Sequence, residues 1–239
     1  MMDTIPSQTL RTMPAGTDIE RRNRALIAFT WLTGVRDGAL ATLKVKHVNV
    51  VEGWVNQDPR EVKTKNSKPQ HTTFFPVGGS ARQIVEGWVR FLTHDLLWGL
   101  DDPLFPATVV EQGADHQFKA GGLAHRHWSN AGPIRTIFKD AFQAIGLPGF
   151  NPHSFRHALA MVGERTCMTP EEFKAWSQNL GHEQVLTTFA SYGEVSSHRQ
   201  AEIIGGLGTP RAPAIELEDL ARRVAEIVRG PVDATPKVS

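Results

Sequence analysis

Apolar residues recur at helical spacing along most of this chain, and one stretch near its middle breaks that period. Thr17 and Glu20 form a capping box, and Ile19, Leu26, Phe29 and Leu32 follow on one side of a helix that runs to about Thr33 and stops at Gly34. Ala39, Leu40 and Leu43 begin another helical run. From Val48 the composition turns β-branched and aromatic: Val48, Val50, Trp54 and Val55, then Val62, then Thr72 to Val77. Gly53, Asp58-Pro59 and Asn66-Ser67 interrupt it. The expectation is a small antiparallel sheet of three strands, whose last connection is the polar stretch KTKNSKPQ. Helical spacing returns after Gly78-Gly79-Ser80 with Ile84, Val85, Trp88, Phe91 and Leu92, and again from Asn130 to Ile145 with Ile134, Ile137, Phe138 and Phe142. Pro103 and Pro106 bracket an extended Leu104-Phe105. Residues 107–127, with Gly113, Gly121 and Gly122, read as a loop, and His125, Arg126, His127 and Trp128 as part of a polar one. Residues 1–16 read as a flexible lead-in.

Two further helices carry their own start signals. Asn151 is an N-cap with Pro152 at the first helical position, and Thr169-Pro170-Glu171-Glu172 is a cap, a proline and a capping-box glutamate. Phe173, Trp176 and Leu180 stripe the second of these before Gly181 ends it. A run from Glu183 to Ala190 then leads to Tyr192. Past the breakers Gly205, Gly206, Gly208, Pro210 and Pro213, the segment 216–228 repeats Leu217, Leu220, Val224, Ile227 and Val228 at heptad-like spacing. The tail beyond it reads as disordered. The fold class expected is α+β and mainly α-helical, with a flexible segment 1–16, a principal domain 17–205, and a linker, amphipathic helix and tail over 206–239.

Composition changes this picture little. A chain of 239 residues with 40% hydrophobic and 21% charged residues is that of a globular protein able to bury a full core. Net charge is +1, which leaves room for a local basic patch. The single cysteine, Cys167, excludes an internal disulfide, and no Cys/His cluster has zinc spacing. No signal peptide or apolar run of membrane length is evident, so a cytoplasmic location is expected.

The candidate chemistry is concentrated between Asn151 and Tyr192. His153 and Arg156, at i and i+3, share a face in the first turn of their helix, where free N–H groups and the helix dipole favour an anion. His182 stands just past a helix-ending glycine, and Tyr192 is the one tyrosine in the chain. His157, next to Arg156, is expected to cap its helix or fill a core position. Together with Arg36 in TGVRDGALATL, a lysine in VKTKNSK, and LGH followed by a tyrosine ten residues on, this order of residues resembles the tyrosine recombinases, the family of phage-type integrases and chromosome-dimer-resolving recombinases. The resemblance covers about residues 17–205, the extent of that family's catalytic domain.

The resemblance implies the following roles. Arg36 and Arg156 match the family's two arginines, His153 the residue three before the second, His182 the LGH histidine, and Tyr192 the nucleophile. For the lysine, Lys63 fits a KTxxS form and Lys65 a KxxK form, with Lys63 preferred. Tyr192 would attack a phosphodiester of double-stranded DNA, form a 3′-phosphotyrosine bond and release a 5′-hydroxyl, with neither ATP nor metal. A free tyrosine, with a pKa near 10, is ionised in only about one molecule in a thousand at neutral pH, so it needs a base or a positive neighbourhood. His153 is the candidate base, the arginines would hold the non-bridging oxygens, the lysine would protonate the leaving oxygen, and His182 would seat the phosphate. The amphipathic 216–228 segment would dock into a neighbouring protomer. Two departures stand out: Ala39 occupies a position often acidic in the family, with Asp37 the expected substitute, and only about 16 residues precede the first helix, so the family's N-terminal DNA clamp is expected to be missing. The competing readings are a non-enzymatic DNA-binding remnant and a type IB topoisomerase-like strand transferase.

Overall fold

A computed structural model describes residues 5–112 and 118–182, together with residues 198 and 204. Tyr192, the expected helix from Glu183 and the amphipathic 216–228 segment lie outside the described residues. The chain divides into two units, 1–192 and 193–239, and the architecture below is that of the first.

At its centre is α2, Asp18–Thr33. The Thr17/Glu20 box forms as the sequence requires: the Thr17 hydroxyl accepts from the Glu20 N–H, and the Glu20 carboxylate accepts from the Thr17 N–H at 2.8 Å. Ala25 to Thr33 are all buried, so the helix is covered on every side rather than on one stripe. The short α3 (Asp37–Leu40) follows it in the chain, and helices α1 (Ile5–Thr12), α4 (Gly79–Arg90) and α6 (Pro152–Thr166) pack on it. Within the expected lead-in, Ile5–Thr12 is a packed helix: Leu10 is buried, its carbonyl accepts from Arg24 Nε at 2.8 Å, and packing against α2 and α4 supplies what eight residues cannot supply alone.

The expected three-stranded antiparallel sheet is present in the order β1 (Val48–Asn49), β2 (Trp54–Gln57), β3 (Gln70–Thr73). Its third strand starts and ends earlier than the β-branched run suggests. Val62, read as strand, instead plugs the core from within the β2–β3 connection. That connection is pinned at its base. Glu61 pairs with Lys46 at 2.9 Å and with Lys44 at 3.3 Å, and the Lys63 N–H donates to the Thr42 hydroxyl at 2.9 Å. At its tip Asn66 and Ser67 take left-handed conformations.

Within the 107–127 stretch, expected to be a loop, lies a second, two-stranded sheet. β4 (Thr108–Gln112) pairs antiparallel with β5 (Phe118–Leu123), with an irregularity at Val109/Val110. Two adjacent glycines hid it: a Cβ on Gly121 would lie 2.5 Å from the Glu111 carboxyl carbon, so glycine there leaves room for that side chain across the pair. The base of this hairpin rests on a buried cation with no sequence signature. Arg22, 1% exposed, donates to the Pro106 carbonyl at 2.6 Å and the Thr108 hydroxyl at 3.1 Å and lies 4.7 Å from the Trp128 ring centre. His125 likewise is used in packing, stacked 4.4 Å from Trp98 and 2.7 Å from Asp102.

α5 (Gly132–Gln143) closes the core, where Phe138 and Phe142 meet Phe155 of α6 edge-on at 5.1 and 5.7 Å. α7 (Pro170–Asn179) lies against α6 so tightly that a Cβ on Gly163 would be 2.6 Å from the Trp176 ring, whose N–H donates to the Leu159 carbonyl. Both helices begin as their cap residues dictate. No helix among the described residues is long and apolar enough to cross a membrane.

Candidate functional site

Four chain segments that are distant in sequence end at one cleft. The C-terminus of α2 breaks at Gly34, whose left-handed φ of 61° turns the chain out of the helix and delivers Arg36 two residues later. The first turn of α6 presents His153 and Arg156. The β2–β3 connection brings Lys63 and Lys65. The exit of α7, through Gly181 at φ 71°, delivers His182. The cleft they line has a volume of about 580 Å³, and all six of these side chains border it. A smaller recess of about 250 Å³ continues from Arg36, His153 and Arg156 to Arg135 on α5. Among the residues expected from sequence to form a site, only Tyr192 lies outside the described residues.

Arg156 is the best-anchored of them. It is 5% exposed, and its two terminal nitrogens donate to the carbonyls of Gly34 and Leu180. One guanidinium thus ties the turn before Arg36 to the turn before His182. Burial, and secondarily the charge of Arg36, lowers its pKa to about 9, which still leaves it cationic at neutral pH. Burial also lowers the pKa of the half-buried Arg36. Among the described residues neither guanidinium forms an ion pair with a carboxylate, and Arg156 feels the charge of Arg36 across the recess they line, so the pair favours an anion.

His182 feels the same field. Burial first, then the positive charges of Arg156, Arg36 and Lys65, depress its pKa from 6.5 to about 4, so the imidazole is neutral at physiological pH. Because the folded value lies below the unfolded one, the unfolded chain binds the extra proton between those two values, and stability falls as pH drops from about 6.5 towards 4. His182→Gln is expected to unfold at higher denaturant than wild type, relative to their order at pH 8, when both are melted near pH 5. A variant whose stability follows the wild-type pH curve would overturn the assignment. His47 and His127, also lowered by burial, leave part of the acid slope in place.

Two expectations change. Asp37 does not buttress Arg36: one carboxylate oxygen accepts from the Gly38 N–H at 2.8 Å and the other from Arg135 Nε at 2.6 Å. Ala39, where the resemblance leads one to look for an acid, is buried and lines the cleft wall. His157 neither caps nor fills the core; it is exposed on the outer face of α6. Arg135 was missed because nothing in its local sequence separates it from any helix-surface arginine.

The described residues include no group of His, Cys, Asp and Glu arranged to hold a metal ion. The positive charge of the cleft comes from arginine and lysine.

No protein-family model matches the chain. Curated relatives do. A protein named tyrosine recombinase XerC from Lactobacillus delbrueckii subsp. bulgaricus is 27% identical over 182 residues, 76% of this chain and 53% of the relative. A protein of the same name from Pseudomonas putida is 24% identical over 193 residues, 79% of this chain and 54% of the relative. The chain spans about half the length of the curated relatives it matches. Among solved structures, the XerA recombinase aligns with a TM-score of 0.50 at 20% identity, over 84% of this chain and 65% of that one. The XerH site-specific recombinase bound to its difH substrate aligns at 0.51 and 15% identity, over 82% and 50%. The Tn1549 transposon integrase in complex with transposon right-end DNA aligns at 0.51 and 13% identity, over 87% and 66%. The chain has the fold of a tyrosine recombinase catalytic domain, and its sequence likeness is to that family.

Proposed function

We propose that this chain breaks and rejoins double-stranded DNA through Tyr192, as the catalytic domain of a site-specific recombinase or integrase. The observation that carries the reading is the convergence of Arg36, Arg156, His153, His182 and the hairpin lysines on one cleft. The relatives' names add to it, as do the DNA complexes of XerH and the Tn1549 integrase.

The Tyr192 hydroxyl oxygen forms a bond to phosphorus as the bond from phosphorus to the 5′-oxygen breaks. The phenolic proton passes to His153, exposed at the cleft mouth. The departing 5′-oxygen takes a proton from a hairpin lysine. One phosphodiester is exchanged for another, so the bond energy is kept and the reverse attack by a 5′-hydroxyl reseals the strand. Arg36 and Arg156 hold the non-bridging oxygens, where charge grows in the transition state; one such donor is typically worth ~3–4 kcal/mol. His182, neutral before DNA arrives, serves as a hydrogen-bond partner to the phosphate rather than as a standing charge. Lys63 is the donor that the sequence favours, and Lys65 borders the same cleft and is among the charges that lower the pKa of His182. Lys63→Ala and Lys65→Ala, assayed side by side, separate the two.

A denaturing gel of the protein with nicked suicide duplexes tests the reading. The duplexes are cut from the ends of any mobile element beside the gene. Wild type is expected to give a shifted, protease-sensitive band that Tyr192→Phe lacks. An adduct that survives in Tyr192→Phe assigns the nucleophile elsewhere. DNA binding with no adduct from wild type points to a non-enzymatic remnant, and sequence-independent relaxation of supercoiled plasmid to a topoisomerase-like activity.

A further inference from the structure

Among the described residues the strand that follows the lysine hairpin is an edge strand, and its open side is closed at Thr73 by one side chain. In the order β1-β2-β3, β3 has no strand beyond it among the described residues. At Thr73 both outward backbone groups are nonetheless paired. The Thr73 N–H donates to Asn179 Oδ1 at 2.8 Å, and Asn179 Nδ2 donates back to the Thr73 carbonyl at 2.8 Å. The carboxamide of Asn179 therefore stands where the peptide group of a fourth strand would stand. The Thr72 hydroxyl donates to the Asn179 carbonyl at 3.2 Å, and Gln70 reaches towards the Gln178 carbonyl at 3.4 Å, so β3 also satisfies carbonyls that α7 leaves open at its last turn.

Asn179 is the last residue of α7. The next residue, Leu180, gives its carbonyl to Arg156, and His182 follows two residues later. On the other side of the joint, β3 is continuous with the connection that carries Lys63 and Lys65. The Asn179 amide, with the Thr72 and Gln70 contacts beside it, thus joins the lysine wall of the cleft to the wall bearing Arg156 and His182, across a sequence separation of 106 residues. A lysine on a turn is a flexible donor, and a general acid contributes only when it lies within hydrogen-bond reach of the atom it protonates. Glu61 and the Lys63–Thr42 bond fix the base of the connection, and the Asn179–Thr73 pair fixes its far end against the wall that bears Arg156 and His182.

We infer that Asn179 is a positioning residue for proton delivery: it holds the lysine hairpin at the distance from Arg156 and His182 at which the lysine reaches the leaving 5′-oxygen. The inference rests on the DNA-cleaving reading above, and it names a role for a residue that does not border the cleft.

The test compares two suicide substrates, one with the ordinary 5′-bridging oxygen and one with sulfur in its place. A thiolate leaves without a proton, so a defect confined to proton delivery disappears on the sulfur substrate. Asn179→Leu, which keeps the volume and loses both bonds to Thr73, is expected to slow adduct formation on the oxygen substrate by about 10- to 100-fold, a part of the ~10²–10⁴ that general acid catalysis contributes. On the sulfur substrate it is expected to match wild type, as is whichever of Lys63→Ala and Lys65→Ala removes the acid. Thr72→Val, which removes one bond to the same joint, is expected to show a smaller defect with the same rescue, and it carries the test if Asn179→Leu melts early. An equal defect on both substrates makes Asn179 a purely structural residue and overturns the inference, and so does an unchanged rate on the oxygen substrate. If wild type forms no adduct with either substrate, the DNA-cleaving reading has failed and the inference falls with it, an outcome distinct from a wild-type adduct with no sulfur rescue.

Discussion

Arg156→Ala is expected to abolish DNA cleavage and also to destabilise the fold, a combination that none of the exposed site residues shares. The catalytic loss follows from the forked donor: removing one such group from a developing phosphorane-like charge costs roughly 10²–10³ in rate or more. The structural loss follows from burial. The Arg156 side chain is 5% exposed and satisfies the carbonyls of Gly34 and Leu180. Truncation leaves two buried acceptors without donors, at about 1–3 kcal/mol each, offset in part by removing a cation that sits close to Arg36 in a poorly solvated place. A net loss of about 2–4 kcal/mol is expected, read as a lower urea midpoint. Arg156→Lys separates the two effects. It keeps the charge, but one ammonium on a flexible stem does not span two carbonyls and a phosphate oxygen in the plane that a guanidinium offers. Cleavage is therefore expected to remain at least about 10²-fold down while much of the stability returns. Arg156→Ala with near wild-type cleavage in the suicide-substrate assay would remove this residue from the reaction.

Gly34→Ala is expected to be nearly as damaging, although glycine carries no chemistry. Its φ of 61° is one that L side chains adopt at a cost of roughly 1–2 kcal/mol. Space compounds the cost: a Cβ there would stand 2.9 Å from Leu180 Cδ2 and 3.1 Å from Leu159 Cδ1, both in the packed core behind the cleft. Relief requires the turn to move away from α6 and α7, and that turn holds both the carbonyl that anchors Arg156 and the lead into Arg36. Cleavage is expected to fall further than the loss of folded protein accounts for, because both arginines shift. The measurement is a urea melt beside a cleavage rate taken where the variant is fully folded. A midpoint equal to that of wild type would mean that the turn relaxes freely and that its left-handed geometry is incidental.

These two positions show different degrees of legibility. Gly34 was readable as a helix stop, because a glycine after a long apolar period is a local signal. Arg156 was readable as an anion ligand, because its spacing from His153 and its place in a first helical turn are local too. That the second would be anchored by the first, 122 residues away, was written nowhere in either segment. The same division runs through the fold. The capping boxes at Thr17/Glu20 and Thr169/Glu172 and the Asn151 cap sit where the sequence puts them, since each needs only residues three apart. α1 and the β4–β5 hairpin escaped because neither is favoured by its own residues: one is short, the other contains paired glycines, and both are held by packing from elsewhere.

The sequence by itself determined where the helices start and stop, and which residue types stand ready to meet a phosphate. Both depend on spacing along the chain, and spacing is what a sequence records. Only the tertiary structure decided that Asp37 turns to Arg135 rather than to Arg36, and that Asn179 closes the edge of β3 at Thr73. In each case several partners were chemically equivalent, and burial, distance and the available unpaired backbone groups selected among them.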